Sequence, residues 1–336
     1  MVLSKGRLLA FAGLAAALLA AAPGPVAAQE KVKIKLVFPT AVTTFFLPYL
    51  VPQDQGWYKE NGLEVEETFV NGDATAMRTL LAGDMDLAVI GPPTVFNAVI
   101  QGAKLKSIGA WQPVVDYQIV ADKKIGATLK DLSGKVFAAV GPNDMTAELV
   151  RMMMKKHGVD PGETRFIQVG GHAARLQAVE AGKAQATLIN TLTSVKGQRD
   201  GAVNVVARVV DDFPSVGYVM VVTKDSDLTN PQKRKAYEIL TKGAIIGARF
   251  VQDKPDEAAV LLNKRTPDID LEMTKEVVRE LSKQKVWGIN GGNEAEVVNF
   301  TSRVSKELSM IEREVKAEEV LDNSFVDKAL ADLGKR

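Results

Sequence analysis

Small polar residues gather where strand-like runs of this chain give way to helix-like runs. These turns lie at residues 40–44, 72–75, 91–94, 141–146 and 170–172, and after residue 190. The candidate binding residues in them are Thr43, Thr44, Asp73, Ala74, Thr75, Gly91, Pro92, Asn143, Asp144, Met145, Thr146, Gly171, His172, Asn190 and Thr191. Several converging helix N-termini favour an anionic group, because each carries unpaired N–H groups and a partial positive charge. The pattern predicts a site for a small-molecule ligand, with capping or packing as each residue's alternative role.

Three further features bear on this site. Trp111 stands at the end of a strand-like run and is predicted to form an apolar wall, with core packing as the alternative. His157 falls in the last turn of a helix, where a cation complements the helix dipole, so it is not a candidate. Asp268 and Asp270 lack the glycine and terminal glutamate of a calcium loop, so we predict capping and no metal site.

Motifs for catalysis are missing from the sequence. It contains no Gly-x-Ser-x-Gly elbow, no His-Glu-x-x-His, no Walker loop and no Gly-x-Gly-x-x-Gly. It also contains no cysteine, which excludes disulfides, thiolate metal sites and a cysteine nucleophile. We therefore predict a binding protein with no catalytic residue and no cofactor.

The turns belong to strand–helix units that repeat along the chain. In the first half we predict strands at 32–38, 63–69, 87–90 and 105–111, with one continuous helix within 42–65 and further helices at 76–82 and 94–101. After a crossing near 112–120, strands at 136–140, 164–169 and 185–190 alternate with helices at 145–157 and 173–181. Strands at 203–210 and 217–222 mark the return, and the last helices are 231–250, 255–264, 271–283 and 294–311, followed by a polar tail.

Alternating strands and helices predict an α/β protein with mainly parallel sheets that are covered by helices on both faces. Ligands of such sheets bind outside the carboxyl ends of the strands, where the turns above lie. The residues alone predict two adjacent α/β lobes.

Three segments resemble the nitrate/sulfonate/taurine-type substrate-binding proteins of ABC importers, which are related to binding proteins for thiamine-pyrimidine precursors. PYLVPQDQGWYKENGLEVE, residues 48–66, is similar to the first helix of that family, matching at Pro48, Tyr49, Gln53, Gly56, Trp57, Tyr58, Gly62, Leu63 and Val65. GDATAMRTLLAGDMDLAVIGP and DLSGKVFAAVGPNDMTAELVRMMMKKHGVDP resemble later family segments in the same order.

The resemblance implies a two-lobed, type II-like periplasmic-binding-protein fold that closes on its ligand about a hinge. It implies a first lobe at 29–115 and 212–336 and a second lobe at 116–211. The implied function is capture of a small solute for a permease in the inner membrane, by a monomer. The alternatives are a sensor lobe for a membrane receptor and a pyrimidine-precursor enzyme, whose relatives use cysteines that this chain lacks.

Asp144 departs from the resemblance, because the family often has a serine- or threonine-rich turn there. An aspartate at this position either caps the following helix or meets an amine or ring N–H of the ligand, and it then repels a sulfonate. Asp73 raises the same question. The ligand therefore stays open among alkanesulfonate, taurine, nitrate, a pyrimidine and an aromatic acid.

Residues 1–28 have the pattern of a secretory signal. Lys5 and Arg7 precede an apolar run at 8–22, and small residues at 26–28 suit cleavage before Gln29. We expect a periplasmic protein, with an uncleaved anchor as the alternative. The formal net charge is +1 without a basic stripe, so no nucleic-acid partner is predicted.

Overall fold

Strands and helices alternate along the chain in the computed structural model, which describes residues 31–142 and 144–336. Its strands are β1 (Val32–Phe38), β2 (Leu63–Phe69), β3 (Leu87–Ile90), β4 (Leu105–Gly109), β5 (Tyr117–Asp122), β6 (Val136–Ala139), β7 (Arg165–Gln168), β8 (Ala186–Asn190), β9 (Val203–Arg208) and β10 (Met220–Lys224). Its helices are α1 (Leu47–Asp54), α2 (Trp57–Glu60), α3 (Asp73–Ala82), α4 (Pro92–Ile100), α5 (Met145–Lys156), α6 (His172–Glu180), α7 (Thr191–Arg199), α8 (Val209–Asp212), α9 (Pro231–Asp253), α10 (Pro255–Arg265), α11 (Leu271–Lys283), α12 (Ala295–Glu307), α13 (Ala317–Val320) and α14 (Ser324–Leu333). The predicted signal at 1–28 and the candidate residue Asn143 lie outside the described residues.

The described strands form two five-stranded sheets, ordered β2-β1-β3-β10-β4 and β7-β6-β8-β5-β9. In each sheet one strand, β10 or β5, runs antiparallel to both of its neighbours. The other neighbouring pairs are parallel. All four residues of β3 are buried, as expected for a strand covered by helices on both faces. The predicted α/β class with mainly parallel sheets is confirmed.

Helices cover both faces of each sheet, because successive side chains of a strand point to opposite faces. In β1, Leu36 joins a core shared with α1 and α9, whereas Val37 joins a core shared with α3 and α4. In β6, Phe137 packs with residues of α5, and Ala138 packs with residues of α6. Each sheet therefore forms the centre of its own lobe.

Two connecting segments, residues 110–116 and 213–219, link the lobes. They run side by side in opposite directions, and Val114 pairs with Gly217. The Val115 N–H donates to the Val216 carbonyl at 2.9 Å, and the Tyr218 N–H donates to the Pro113 carbonyl at 3.0 Å. The predicted two-lobed architecture is confirmed.

The first helical region departs from the prediction of one continuous helix. It consists of α1 and α2, which are separated at Gly56 by a φ of 80° that suits glycine and interrupts the helix. Further along, the chain forms the antiparallel strand β5 where the sequence predicted only a crossing between lobes. The sequence of β5 does not show the alternation of apolar and polar residues typical of a half-buried strand, because four successive residues of β5 are buried.

The C-terminal polar tail was also predicted wrongly. It folds into α13 and α14, and Phe325, Val326 and Ala329 of α14 are buried. Phe325 belongs to the core that contains α9 residues, so apolar residues at helical spacing fix the tail against the first lobe. Among the described residues, no helix is both long and apolar enough to cross a membrane.

Candidate functional site

Four rings form a continuous ladder from one lobe to the other. Phe45 packs edge to face on Tyr218 with centroids 5.5 Å apart, and Tyr218 packs on Tyr117 at 6.2 Å. Tyr117 in turn packs on the His172 ring at 5.3 Å. Phe45 belongs to the turn before α1 in the first lobe, and His172 begins α6 in the second. We name these four residues the ring ladder.

Tyr117 lies within reach of charges from both lobes. Burial raises the pKa of Tyr117 to about 12; the negative charges of Asp116, Asp144 and Asp73 act in the same direction, while the positive charge of Arg175 opposes them. Asp73 begins α3 of the first lobe, whereas Asp144 and Arg175 belong to the second. The strand ends of the two lobes therefore meet around the ring ladder.

Asp73 ties together two helix N-termini of the first lobe. Its Oδ2 accepts the backbone N–H of Gly91 at 3.1 Å, so the carboxylate reaches from the start of α3 to the start of α4. Burial raises the pKa of Asp73, and the Gly91 N–H partly opposes that shift. Gly72, rather than Asp73, is the N-cap of α3, and it forms no side-chain cap.

Asp144 has the geometry of a helix N-cap. Its carboxylate accepts the N–H of Thr146 at 3.2 Å and the N–H of Ala147 at 3.1 Å. The Thr146 hydroxyl donates a further bond at 2.9 Å. The carboxylate thus receives three hydrogen bonds from the first turn of α5, which is the capping alternative of the sequence analysis.

His172 accepts two hydrogen bonds at one ring nitrogen. The Asn190 N–H lies 3.2 Å from Nδ1, and the Arg175 Nη2 lies 3.0 Å from the same atom. Because both partners are donors, Nδ1 is unprotonated and Nε2 carries the hydrogen. Burial, followed by the nearby charge of Arg175, lowers the pKa of His172 to about 4. The imidazole is therefore neutral at pH 7 and offers an Nε2–H donor.

Asn190 caps a helix, and Thr191 binds the first connecting segment. The Asn190 side chain caps α7 by accepting the Thr193 N–H at 3.1 Å. The Thr191 hydroxyl is fully buried and donates to the Asp116 carbonyl at 2.9 Å. The Asp116 carboxylate accepts the Thr191 N–H at 3.0 Å, and burial raises its pKa. These contacts fix the first connecting segment on the second lobe.

The remaining threonine and glycine candidates lie at the starts of helices. Thr43 and Thr44 are half-buried beside Phe45, and Thr43 makes no side-chain cap bond. The Thr75 hydroxyl accepts a bond from Arg78 at 3.0 Å. Gly171, the N-cap of α6, is exposed.

Three further candidate residues lie in the first turns of helices. Ala74 is exposed in the first turn of α3. Pro92 is the first residue of α4, where the missing N–H costs no helical bond. Met145 begins α5 and packs against the core of the second lobe.

Trp111 lies in the core of the first lobe. Only 4% of its surface is exposed, and its ring stacks on Tyr49 with centroids 5.2 Å apart. The structure thus gives Trp111 the packing role that the sequence analysis named as the alternative.

Arg175 was missed by sequence reasoning. It follows His172 by three residues on α6 and therefore shares its helix face. Its side chain is 1% exposed, whereas arginines are mostly exposed. The i,i+3 spacing of histidine and arginine at a helix start was the one available signal.

Residues 43–258 match the family model described as NMT1/THI5 like, which is well over half of the 336 residues. The Bacillus subtilis (strain 168) protein named "Putative binding protein YtlA" is 25% identical over 195 residues. These residues are 55% of this chain and 56% of that protein, so the chain spans about half of its length.

Solved structures with this fold include two solute-binding proteins. The periplasmic nitrate-binding protein NrtA of Synechocystis PCC 6803 has a TM-score of 0.68 and 14% identity, covering 91% of this chain and 90% of its own. The sulfonate ABC transporter protein SsuA of Methylobacillus flagellatus KT, described as a putative periplasmic sulfonate-binding protein, has a TM-score of 0.67 and 12% identity, covering 91% and 96%. The resemblance predicted from the sequence motifs is confirmed at the level of family and fold.

Proposed function

This chain belongs to the NMT1/THI5-like family, and on that premise we propose that it is the extracytoplasmic solute-binding component of an ABC importer. It captures one small organic or anionic solute between its lobes and delivers it to a permease in the inner membrane. The proposal includes the lobe boundaries expected from the sequence, at 115/116 and 211/212, and a monomeric protein.

One observation carries this proposal: the ring ladder crosses from lobe to lobe and is flanked by helix N-termini of both. Its two central rings, Tyr117 and Tyr218, adjoin the connecting segments, so any rotation of the lobes changes their contact. Asp73 of one lobe and Asp144 of the other act on the same tyrosine. A solute held there contacts both lobes and stabilises the closed arrangement.

We propose binding without turnover. The chain has no cysteine, on which the enzymes of this fold named above depend. NrtA is described as a periplasmic nitrate-binding protein and SsuA as a periplasmic sulfonate-binding protein of a putative ABC transporter, which supports a binding role here.

The test is a thermal-shift screen of the purified protein with alkanesulfonates, taurine, nitrate, pyrimidines and aromatic acids. A solute that binds only the folded state raises the melting temperature. At a hundredfold excess over Kd it adds about 2.7 kcal/mol to the free energy of unfolding. The stabilising compound should be recovered unchanged after long incubation. Steady conversion of that compound into a product would contradict the proposal.

Export and import are tested in cells. N-terminal sequencing of periplasmic protein should begin close to Gln29, and full-length chain in the membrane fraction would contradict cleavage. Deletion of the gene should abolish high-affinity uptake of the stabilising solute. Unchanged uptake together with a lost transcriptional response would instead assign the protein to a sensor.

A further inference from the structure

Arg175 is a buried cation that forms no salt bridge with any described residue. Its side chain is 1% exposed, and its Nε and Nη1 atoms have no hydrogen-bond partner among the described residues. Its Nη2 contacts a neutral acceptor, Nδ1 of His172, at 3.0 Å. A buried guanidinium with unpaired donors is costly, because it has lost its water and gained no anion in exchange.

The guanidinium lies at the N-terminal end of its own helix. Side chains of α-helices point back toward the N-terminus, and Arg175 reaches the first residue of the nine-residue helix α6. The N-cap, Gly171, provides no side-chain bond to the free N–H groups of the first turn. The positive end of the helix dipole and the unpaired donors of Arg175 thus coincide.

The His172 ring adds a neutral donor beside the Arg175 guanidinium. The His172 Nδ1 is occupied by two donors, so its Nε2 carries a hydrogen. The same ring packs against Tyr117 at 5.3 Å. A ligand group at this point meets a charged donor, a neutral donor and an aromatic wall.

Negative charge is already present nearby, and it limits what the ligand can carry. Burial lowers the pKa of Arg175, and Tyr117 and Asp144 oppose that shift, so the Asp144 carboxylate lies close enough to act on the guanidinium. The Asp144 carboxylate is, however, engaged by three donors of the first turn of α5. Asp116 acts on Tyr117 from the other side and is engaged by the Thr191 N–H. One further negative charge is balanced by Arg175, whereas a second is repelled by these carboxylates.

We propose that Arg175 and His172 bind the single carboxylate or sulfonate of the transported solute, whose apolar or aromatic part rests on the ring ladder. This inference rests on the proposed function and narrows its ligand class to monoanions. The Arg175 guanidinium and the His172 Nε2–H donate to the anionic oxygens.

The test compares probes that differ only in charge, namely benzoate with benzamide, benzenesulfonate with benzenesulfonamide, and butyrate with butyramide. Calorimetry should detect at least one of the anions and not its uncharged partner. Arg175→Met should lower the affinity for that anion roughly ten- to a hundredfold, since a charge-assisted hydrogen bond is lost. The control Arg165→Gln changes an exposed arginine of the same lobe and should leave affinity unchanged.

A second readout separates a ligand role from a structural one. If Arg175 serves the ligand, Arg175→Met leaves the unliganded protein as stable as wild type or raises its melting temperature, because it removes an unpaired buried charge. A lower melting temperature together with unchanged anion affinity would assign Arg175 to folding and overturn the inference.

The remaining outcomes are also decisive. The monoanion site is wrong if the uncharged partners bind as tightly as the anions. It is also wrong if none of the three anions binds while neutral solutes from a wide metabolite panel do. In both cases the proposed solute-binding function stands. If no solute of any charge binds, the proposed function falls together with the monoanion site.

Discussion

Tyr117 and Tyr218 meet edge to face between the lobes, with ring centroids 6.2 Å apart and ring planes at 72°. Tyr117 begins β5 of the second sheet, and Tyr218 precedes β10 of the first. Each connecting segment thus brings one tyrosine to the lobe junction. Because the two rings come from opposite lobes, a rotation of one lobe against the other would change their contact.

Removing one ring of this pair should weaken solute binding. Aromatic pairs contribute about 0.5–1.5 kcal/mol beyond their buried area, so Tyr218→Ala should lower affinity for the bound solute roughly two- to tenfold. Calorimetry measures the loss. Phe250→Ala, which removes a half-buried ring on α9 outside the ladder, should keep wild-type affinity. Equal losses in the two variants would show that the ladder has no special part in binding.

The cap at Asp144 predicts separate effects on stability and affinity. Asp144→Ala removes the acceptor for the Thr146 and Ala147 N–H groups and should cost about 0.5–2 kcal/mol of unfolding free energy. Asp144→Asn keeps an acceptor and should change solute affinity little. Urea unfolding and calorimetry check the two expectations. Asn230→Ala, which removes the cap of α9, is the control that should lower stability alone.

A tenfold loss of affinity in Asp144→Asn would contradict the cap and assign the carboxylate to an amine or ring N–H of the ligand. Tighter binding by that variant would instead show that the carboxylate opposes an anionic ligand, as the monoanion site also allows.

His172 should make the protein sensitive to mild acid. Its pKa is about 4 in the folded state because of burial and the nearby Arg175, against about 6.5 in an unfolded chain. Between these values the unfolded state binds more protons, so stability falls as pH decreases, by at most about 1.4 kcal/mol per pH unit. His172→Gln removes this contribution and should lose less stability than wild type between pH 6.5 and 4.5.

Urea unfolding at the two pH values measures that difference. His157→Gln, at the other of the two histidines, shows how much of the pH dependence has another origin. A His172→Gln variant with the full wild-type pH dependence would disprove the assignment.

Gly247 should be essential for the packing of α9 on α1. A Cβ at this position would lie 2.0 Å from the Pro48 carbonyl oxygen. Alanine is the better helix former by about 1 kcal/mol, yet we expect Gly247→Ala to lower stability by about 1–3 kcal/mol through overpacking. Gly141→Ala, where no atom of the described residues lies within 4 Å of the added Cβ, is the control and should unfold like wild type. A Gly247→Ala variant as stable as wild type would contradict the close approach.

Local patterns in the sequence were enough for elements such as α11 and for the cap of α5. The bounds of α11 and the capping geometry of Asp144 depend on neighbours within one helical turn, which the sequence displays directly. The ring ladder was not predictable in this way, because Phe45, Tyr117 and Tyr218 meet only after both connecting segments have crossed between lobes. Trp111 illustrates the same limit, since its position at a strand end does not reveal that Tyr49 will cover it.

Arg175 shows why the chemistry of the site was harder to predict than its place. The two alanines before it are equally compatible with an exposed and a buried helix face, and arginine is usually exposed. Its partner His172 contacts Asn190 of β8 and Tyr117 of β5, which lie far apart in the chain.

Native mass spectrometry of the mature protein purified from its own cells tests the central claim most directly. The account predicts one small molecule per chain, bearing one negative charge at neutral pH, which is released chemically unchanged when the protein is unfolded. Arg175→Met should be recovered without that molecule, and Arg165→Gln should retain it. A product of catalysis in place of an unchanged solute, or wild-type protein that retains and binds no small molecule, would contradict the account.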